Sequence, residues 1–392
     1  MSRAGKLWQK TARNTAKSGQ IAALAWAISC NPHGPDKHAE SSDAARSAPI
    51  AAMPPSAAAA SSAPALAPAE PEKVDFQDVA MGTNVHFIAY SNARASTARI
   101  KAAMTQALNE MRRLEGLMSE WRDDSEVGQI NAHPGQWVKV GPETFSVISR
   151  ALEEGKASGG AFDITFQAMS GVWKFGSAAD AEPKVPAKAE ILRLKKLVDY
   201  RVVELDPAQH AVRVPKEHKI GLGGIAKGFI VDRAAEILKR AEISDFLVQA
   251  GGDLFGAGRK PDGAPWVSGI QDPRGPQGTF FASIELTDHA FSTAGDYARS
   301  YVIDHRRYHH IIDPRTGYPA TASRSVTVWA DDATTADAID DAVFILGPEA
   351  GLKLVEATPG VGVVIVDKNN KVWISPRLEG KVHVTSPPSD GI

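Results

Sequence analysis

One stretch, Gly221-Leu222-Gly223-Gly224-Ile225-Ala226-Lys227-Gly228, constrains the fold of this chain more than any other. A β-branched run (Val212 to Val214, then Ile220) leads into it, and apolar residues at helical spacing from Ile230 to Leu238 leave it. The backbone must pass from strand to helix through a turn built on four glycines. Such a turn leaves the first N–H groups of the helix without partners, at the positive end of its dipole. Two readings follow. The stretch is a cradle for a phosphate, with Lys227 adding a mobile point charge, or it is a packing joint where two backbones come close.

The flanks decide what kind of phosphate site it can be. Gly221-x-Gly223-x-x-Ala226 satisfies a dinucleotide fingerprint, which belongs in a parallel βαβ unit with an acid after its second strand. Here Val202 to Leu205 and Ala211 to Val214 read as a hairpin around Asp206-Pro207. The next strand, Phe246 to Val248, ends in Gln249-Ala250-Gly251-Gly252-Asp253. An NAD-linked enzyme would need a parallel unit that this pattern does not offer. A P-loop is excluded because Gly228, not Ser or Thr, follows Lys227.

Elsewhere the chain alternates between hairpins and helices. Phe76 to Tyr90 reads as a strand pair around Met81-Gly82-Thr83, and Ile100 to Met118 as a long helix with a methionine-rich core stripe. A helix runs from Pro142 to Ser158 and stops at Gly159-Gly160. Ala161 to Thr165 reads as a short strand, and a short helix follows the charged loop 177–190. Strands are expected at Trp266 to Gln271, Phe280 to Leu286 and Ser325 to Trp329, with a helix from Thr334 to Leu346. Two more hairpins pair Tyr301–Ile303 with Tyr308–Ile312, and Val361–Val366 with Lys371–Ile374. Phe291 to Tyr297, small and polar, reads as a loop that admits a ligand. The class is α+β, with mixed, largely antiparallel sheets and packed helices.

The N-terminus has a different character. Arg3, Lys6, Lys10, Arg13 and Lys17 precede a short apolar run, Ile21 to Ile28, and then Ser29-Cys30. A basic region, an apolar run too short to span a bilayer and a small-residue site mark an export signal. The lone cysteine at its end points to a lipoprotein whose Cys30 carries the lipid, against the plainer readings of an uncleaved membrane anchor or an ordinary signal peptide. Residues 1–30 are thus expected as a leader and 31–73, rich in Ala, Pro and Ser, as a disordered tether. Residues 74–380 form the folded domain and 381–392 a flexible tail. The expected location is a membrane surface facing the periplasm. A net charge of −2 with no basic, aromatic-interleaved patch argues against nucleic acid as a partner.

Two constellations carry chemistry. Asp337 and Asp341 are four apart on one helix, with Asp340 beside them. Hard oxygen ligands in small number suit Mg²⁺ completed by substrate phosphates, while an Asp-rich helix start is the plainer reading. Among His305, His309 and His310, strand alternation turns 309 and 310 to opposite faces, which favours a single general base over a metal cluster. Trp121, in the polar loop Ser119 to Val127, can anchor an edge of the core or stack on a planar ligand.

Taken in order, Met81-Gly82-Thr83, Asp123-x-Ser125-Glu126-Val127, Phe162-Asp163-Ile164-Thr165, Gly223 to Gly228, Ala250-Gly251-Gly252-Asp253, Ser292 to Tyr297, His310-Ile311-Ile312-Asp313-Pro314-Arg315-Thr316-Gly317 and Ala336-Asp337-Ala338 form a set. This set resembles the FAD:protein FMN transferases, the ApbE family, across residues 75–375. The resemblance implies an enzyme that uses Mg²⁺ to cleave FAD and join FMN by a phosphoester to a threonine of a target membrane redox protein, releasing AMP. The same site with water in place of threonine would be an FAD pyrophosphatase, and without turnover a flavin carrier. FAD is expected in a cleft between subdomains, touching Met81, Trp121, Ala161, Phe162, Asp163, Gly221, Lys227 and Ile312. The resemblance places the metal between the Gly224 carbonyl and the side chains of Asp337 and Asp341, with Asp340 close by. It makes His310 the base for the incoming threonine and Asp337 a second catalytic residue. Many relatives carry Asp at position 221 and Thr at position 341, where this chain has Gly221 and Asp341.

Overall fold

Residues 70–175 and 183–391 are described by the computed structural model. The expected leader with Cys30, the tether as far as residue 69 and the stretch 176–182 of the charged loop lie outside the described residues. Among the described residues no helix is long and apolar enough to cross a membrane.

The first part of the chain forms β1 (Lys73–Ala80), β2 (Thr83–Tyr90), α1 (Thr97–Met118), α2 (Glu126–Ala132), β3 (Val138–Lys139) and α3 (Pro142–Ala157). Then come α4 (Lys188–Lys195), β4 (Glu204–Asp206), β5 (Ala211–Arg213), α5 (Ala226–Arg240), β6 (Phe246–Ala250), β7 (Asp253–Ala257), β8 (Trp266–Gln271) and β9 (Phe280–Leu286). The last part forms β10 (His289–Gly295), β11 (Ser300–Ile303), β12 (Arg306–His309), β13 (Ile312–Asp313), β14 (Tyr318–Pro319) and β15 (Ser323–Ala330). It ends with α6 (Ala333–Ala357), β16 (Gly362–Asp367), β17 (Val372–Ile374) and β18 (Val382–Val384).

An eight-stranded sheet in the order β1-β2-β6-β7-β10-β15-β16-β17 organises these elements. Every neighbouring pair in it is antiparallel, which removes the dinucleotide-fold reading of the glycine stretch. Side chains alternate across a strand, and the central strands are buried on both faces. Val326, Val328 and Ala330 of β15 and Val363 and Ile365 of β16 enter one core, whereas Trp329, Val364 and Val366 enter another. A sheet of this kind must be covered twice. Helices α5 and α6 pack on one face, with α1 against α5. The small sheet β18-β9-β8 covers the other through Trp266, Phe281, Ile284 and Leu286. A third cluster, with Met169, Trp173, Ile191, Tyr308 and Ile312, lies where the β11–β12 hairpin meets the segment before α4. This is the α+β architecture expected, and the methionine stripe of α1 (Met104, Met111, Met118) is core.

Four local expectations are corrected. Residues 161–165 do not form a strand: Asp163 caps a 3-10 turn at Ile164–Met169, its Oδ1 accepting from the Thr165 N–H at 2.8 Å and hydroxyl at 2.5 Å. Residues 291–295 belong to β10, not to a loop. Their small polar side chains meet buried polar partners, such as Thr293 with Thr327 at 3.0 Å. The strand expected over Tyr308–Ile312 ends at His309, whose ring Nδ1 takes the Ile311 N–H at 3.3 Å before β13 begins. The segment 381–392 is not a free tail. β18 pairs with β9, and Ser389 donates its N–H and hydroxyl to Asp272.

Helices α5 and α6 are locked by exchanged carboxylates. The N-cap residue of α5 is Ile225, which has no side-chain acceptor to offer. Asp337 of α6 supplies one, taking the Gly228 N–H at 2.9 Å. In return Asp232 of α5 accepts from the N–H groups of Ala333 and Thr334 at 2.7 and 2.8 Å. Each helix satisfies orphan donors of the other. The approach is so close that a Cβ on Gly228 would lie 2.1 Å from the Ala333 carbonyl oxygen. A backbone atom cannot rotate away, so Gly228→Ala is expected to cost about 3 kcal/mol of stability, read as a lowered denaturation midpoint in urea. An unchanged midpoint would show that the two helices can part at no cost.

Candidate active site

At the N-terminus of α5, two elements deliver acids to one point. Asp337, Asp340 and Asp341 share a face of α6 because residues three and four apart do so, and Asp253 is the first residue of β7. Oxygens of Asp253, Asp337 and Asp340 lie within 4.8 Å of one another, and all three residues are buried. Lys227 bridges them, its Nζ 2.5 Å from Asp253 and 3.2 Å from Asp337. Ser292 of β10, on the helix side of the sheet, sits between Asp253 and Asp340 at 2.5 and 2.6 Å. A hydroxyl carries one proton and can donate to only one of them. The other short contact requires a proton on a carboxyl group, so a fully ionised cluster does not fit these distances.

Burial and mutual repulsion explain this. Burial first, then the Asp253 charge, pushes the Asp337 carboxyl up to about 7, against the pull of Lys227 and the Gly228 N–H. Burial raises Asp341 to about 6. Asp340 is raised well above the ordinary carboxylate range by burial and by Asp341 and Asp337. Lys227 moves the opposite way to what burial alone would do, because Asp253 and Asp337 hold its proton. One lysine faces four acids. A cluster of this charge and hardness fits a divalent cation with oxygen ligands. Gly224 stands beside it, since a Cβ there would lie 3.4 Å from Asp341 Oδ2 and 3.1 Å from the Phe162 ring.

His310 lies at the rim. Its N–H donates to the Arg299 carbonyl at 3.2 Å, and its ring Nδ1 is buried without a hydrogen-bond partner. Burial first, then Arg299 and His309, lowers the imidazole to about 4, with Lys227 contributing. It is therefore neutral at pH 7 and able to accept a proton.

The structure thus gathers Phe162, Gly224, Lys227, Asp337, Asp340 and Asp341, with His310 in electrostatic reach. The remaining expected contacts are spread around this centre. Trp121 is 76% exposed and lines a recess of about 500 Å³ with Glu120, Gln167 and Arg193. The Gly221 N–H is held by the Ile164 carbonyl at 2.9 Å, and a Cβ on Gly221 would lie 2.9 Å from Gln167 Oε1. Met81 adopts φ 54°, with its N–H on Glu115 at 2.8 Å. Ala161 is buried. The side chain of Asp163 is committed to the fold, through Thr165 and the Tyr200 N–H at 2.9 Å. Ile312 is buried in the third cluster. Asp253, Ser292 and Glu120 join the site only through the fold, by contacts remote in sequence. Burial raises Glu120, while the N–H groups of Glu120 itself and Leu222 pull it back. This carboxylate touches the glycine stretch. Asp253 ends a glycine-flanked motif, which was its only signal.

The raised carboxyls set a pH dependence. With Asp337 at about 7 and Asp341 at about 6 against an ordinary 3.8, the folded state binds more protons than the unfolded one between roughly pH 4 and 7. Their contribution to stability therefore falls as pH rises through that window. Urea unfolding in a chelator should show the stability of wild type, relative to the Asp337→Asn/Asp341→Asn variant, falling from pH 5 to pH 7.5. A rise across that range would contradict the assignment.

Comparison with known proteins gives the family. The ApbE family model matches residues 81–365. An FAD:protein FMN transferase of Treponema pallidum is 32% identical over 323 residues, covering 78% of this chain and 88% of that protein. The crystal structure of the ApbE protein from Thermotoga maritima is 36% identical with a TM-score of 0.71, covering 79% of this chain and 99% of that one. The flavin transferase ApbE from Vibrio cholerae is 27% identical with a TM-score of 0.70, again covering 79% and 99%. The chain belongs to the ApbE family, whose matched curated members are FAD:protein FMN transferases.

Proposed function

We propose that this enzyme transfers FMN from FAD to a threonine of a target protein, with Mg²⁺ as its metal. The threonine Oγ attacks the phosphorus on the FMN side of the pyrophosphate. The Oγ–P bond forms, the bond to the bridging oxygen breaks, and AMP leaves with that oxygen. The threonine proton goes to the neutral imidazole of His310. The observation that carries this reading is the buried acid cluster at the N-terminus of α5, with His310, whose ring Nδ1 is buried without a hydrogen-bond partner, in electrostatic reach of Lys227.

Asp337, Asp341 and the Gly224 carbonyl would hold the cation, with Asp340 and Asp253 behind them. Bound there, Mg²⁺ would neutralise charge on the phosphate oxygens. Phosphoryl transfer needs charge compensation and positioning more than covalent help. Lys227 keeps Asp253 and Asp337 in place and carries the positive charge of the site in the resting protein. The recess beside Trp121 offers an aromatic face to one of the planar rings of FAD. A target protein of a membrane redox complex supplies the threonine.

Incubation with FAD, Mg²⁺ and a threonine-bearing acceptor should yield one AMP per flavin bound covalently. Free FMN with an unlabelled acceptor would establish a pyrophosphatase in place of a transferase. Asp337→Ala should abolish turnover. His310→Gln should slow transfer by about a hundredfold or more, the usual worth of a general base, with FAD affinity nearly unchanged. Loss of FAD binding in that variant would make His310 structural.

We also propose that the domain is exported and held at a membrane by lipid on Cys30, with residues 31–69 as tether, since the basic and apolar leader precedes that lone cysteine. Cys30→Ser should move the protein from the membrane fraction to the soluble one. Retention of the variant in the membrane would refute lipid attachment at this residue.

A further inference from the structure

We propose that Arg299 is the residue that grips the phosphate of the transferred FMN, presenting two parallel N–H donors to its non-bridging oxygens beside His310. The inference deepens the transferase reading and rests on it.

The register of the β11–β12 hairpin places the two side chains together. Ser300 pairs with His309, and the next bond runs from the His310 N–H to the Arg299 carbonyl at 3.2 Å. Directly opposed residues of an antiparallel pair project to the same side with Cβ atoms about 5 Å apart. Arg299 is exposed, and among the described residues its guanidinium has no hydrogen bond or ion pair, yet its charge is felt at the His310 ring.

Lys227, the other cation felt at His310, spends its ammonium on Asp253 and Asp337. Among the described residues, a phosphate arriving beside His310 therefore meets in Arg299 a cation whose donors are free. Arginine is suited to it, because its planar fork matches two phosphate oxygens at once.

The segment that carries Arg299 is fixed. Three residues earlier, Asp296 is gripped by both terminal nitrogens of Arg274, at 2.6 and 2.7 Å, and the two side chains are only 8% and 7% exposed. The Asp296 N–H donates to the Arg324 carbonyl at 3.0 Å. The Arg274 loop is in turn tied down by Ser389 on Asp272. An exposed arginine with no partner, on an anchored backbone beside the base, suits a ligand contact better than a solvated surface charge.

The test uses the purified enzyme with Mg²⁺, comparing wild type, Arg299→Ala and Arg299→Lys. Binding of FMN and of riboflavin, which lacks the phosphate, is measured by flavin fluorescence. Wild type should prefer FMN, and Arg299→Ala should reduce that preference about tenfold or more, the worth of a charged hydrogen bond. Riboflavin affinity should stay the same. Arg299→Lys should recover only part of the preference, since an ammonium cannot form the bidentate pair. Unfolding midpoints equal to wild type confirm that the variants fold; should Arg299→Ala fail to fold, Arg299→Lys decides by the same ratio. An FMN-to-riboflavin ratio unchanged in the variants overturns the proposal. The binding ratio needs no turnover, so a wild type that binds FMN but never labels an acceptor would overturn the transferase reading separately.

Discussion

The Asp337 carboxylate on the Gly228 N–H is the interaction on which the rest depends. It joins the start of α5 to the middle of the first part of α6, two segments more than a hundred residues apart in sequence. Ile225 leaves α5 without a cap of its own, so this helix begins correctly only when α6 is docked. Asp232 makes the dependence mutual by holding the start of α6. The glycine at 228 is what allows the approach. The geometry of the acid cluster is therefore set by the packing of two helices.

That arrangement has an energetic cost. Four acids around one lysine in a buried setting repel each other, and only protons, a cation or solvent can relieve them. The raised carboxyls of Asp337 and Asp341 are the trace of burial first and of that repulsion second. A protein built for stability alone would place an apolar pair at such a helix contact. The surrounding core is large enough to tolerate it: β10, β15 and β16 are buried on both faces, and α6 is anchored along β10 and β15. Local rules are broken where a site is needed, and the fold around it obeys them.

Much of this was legible in the sequence because period and punctuation are local. The β1–β2 and β16–β17 hairpins, the methionine stripe of α1 and the stop of α3 at Gly159-Gly160 follow directly from spacing and glycine placement. The break of α6 at Gly347, with φ 74°, falls where the apolar pattern ends at Leu346. What was not legible depended on partners remote in sequence. Ser292 looked like a loop residue because its partners, Asp253 and Asp340, are 39 and 48 positions away. Asp163 suggested a strand or a ligand contact, whereas its carboxylate holds the Tyr200 N–H. Lys227 suggested a mobile charge for a ligand, and only the folded chain shows it fixed between two acids. The polar stretch at the C-terminus gave no sign that β9 had a free edge to receive it.

The two departures from the family pattern now have a physical meaning. The resemblance implies Asp at position 221, and here it is Gly221, against which Gln167 packs so closely that a Cβ would stand 2.9 Å from its Oε1. An acid there would first have to displace that amide. At 341 the change runs the other way, from a neutral hydroxyl to Asp341, beside Gly224 on the cluster side of the same stretch. Against the pattern the resemblance implies, an acid is absent at the start of the loop and one is present on the helix, so the number of acids is kept while their charge shifts toward Asp337 and Asp340. Asp341 is itself pushed up to about 6, by burial first and by the charge of Asp253 after it, against the pull of Lys227. On the proposed reading a divalent cation bound there would relieve the same repulsion, so an acid at 341 would strengthen the electrostatic hold on the cation at a cost in stability without it.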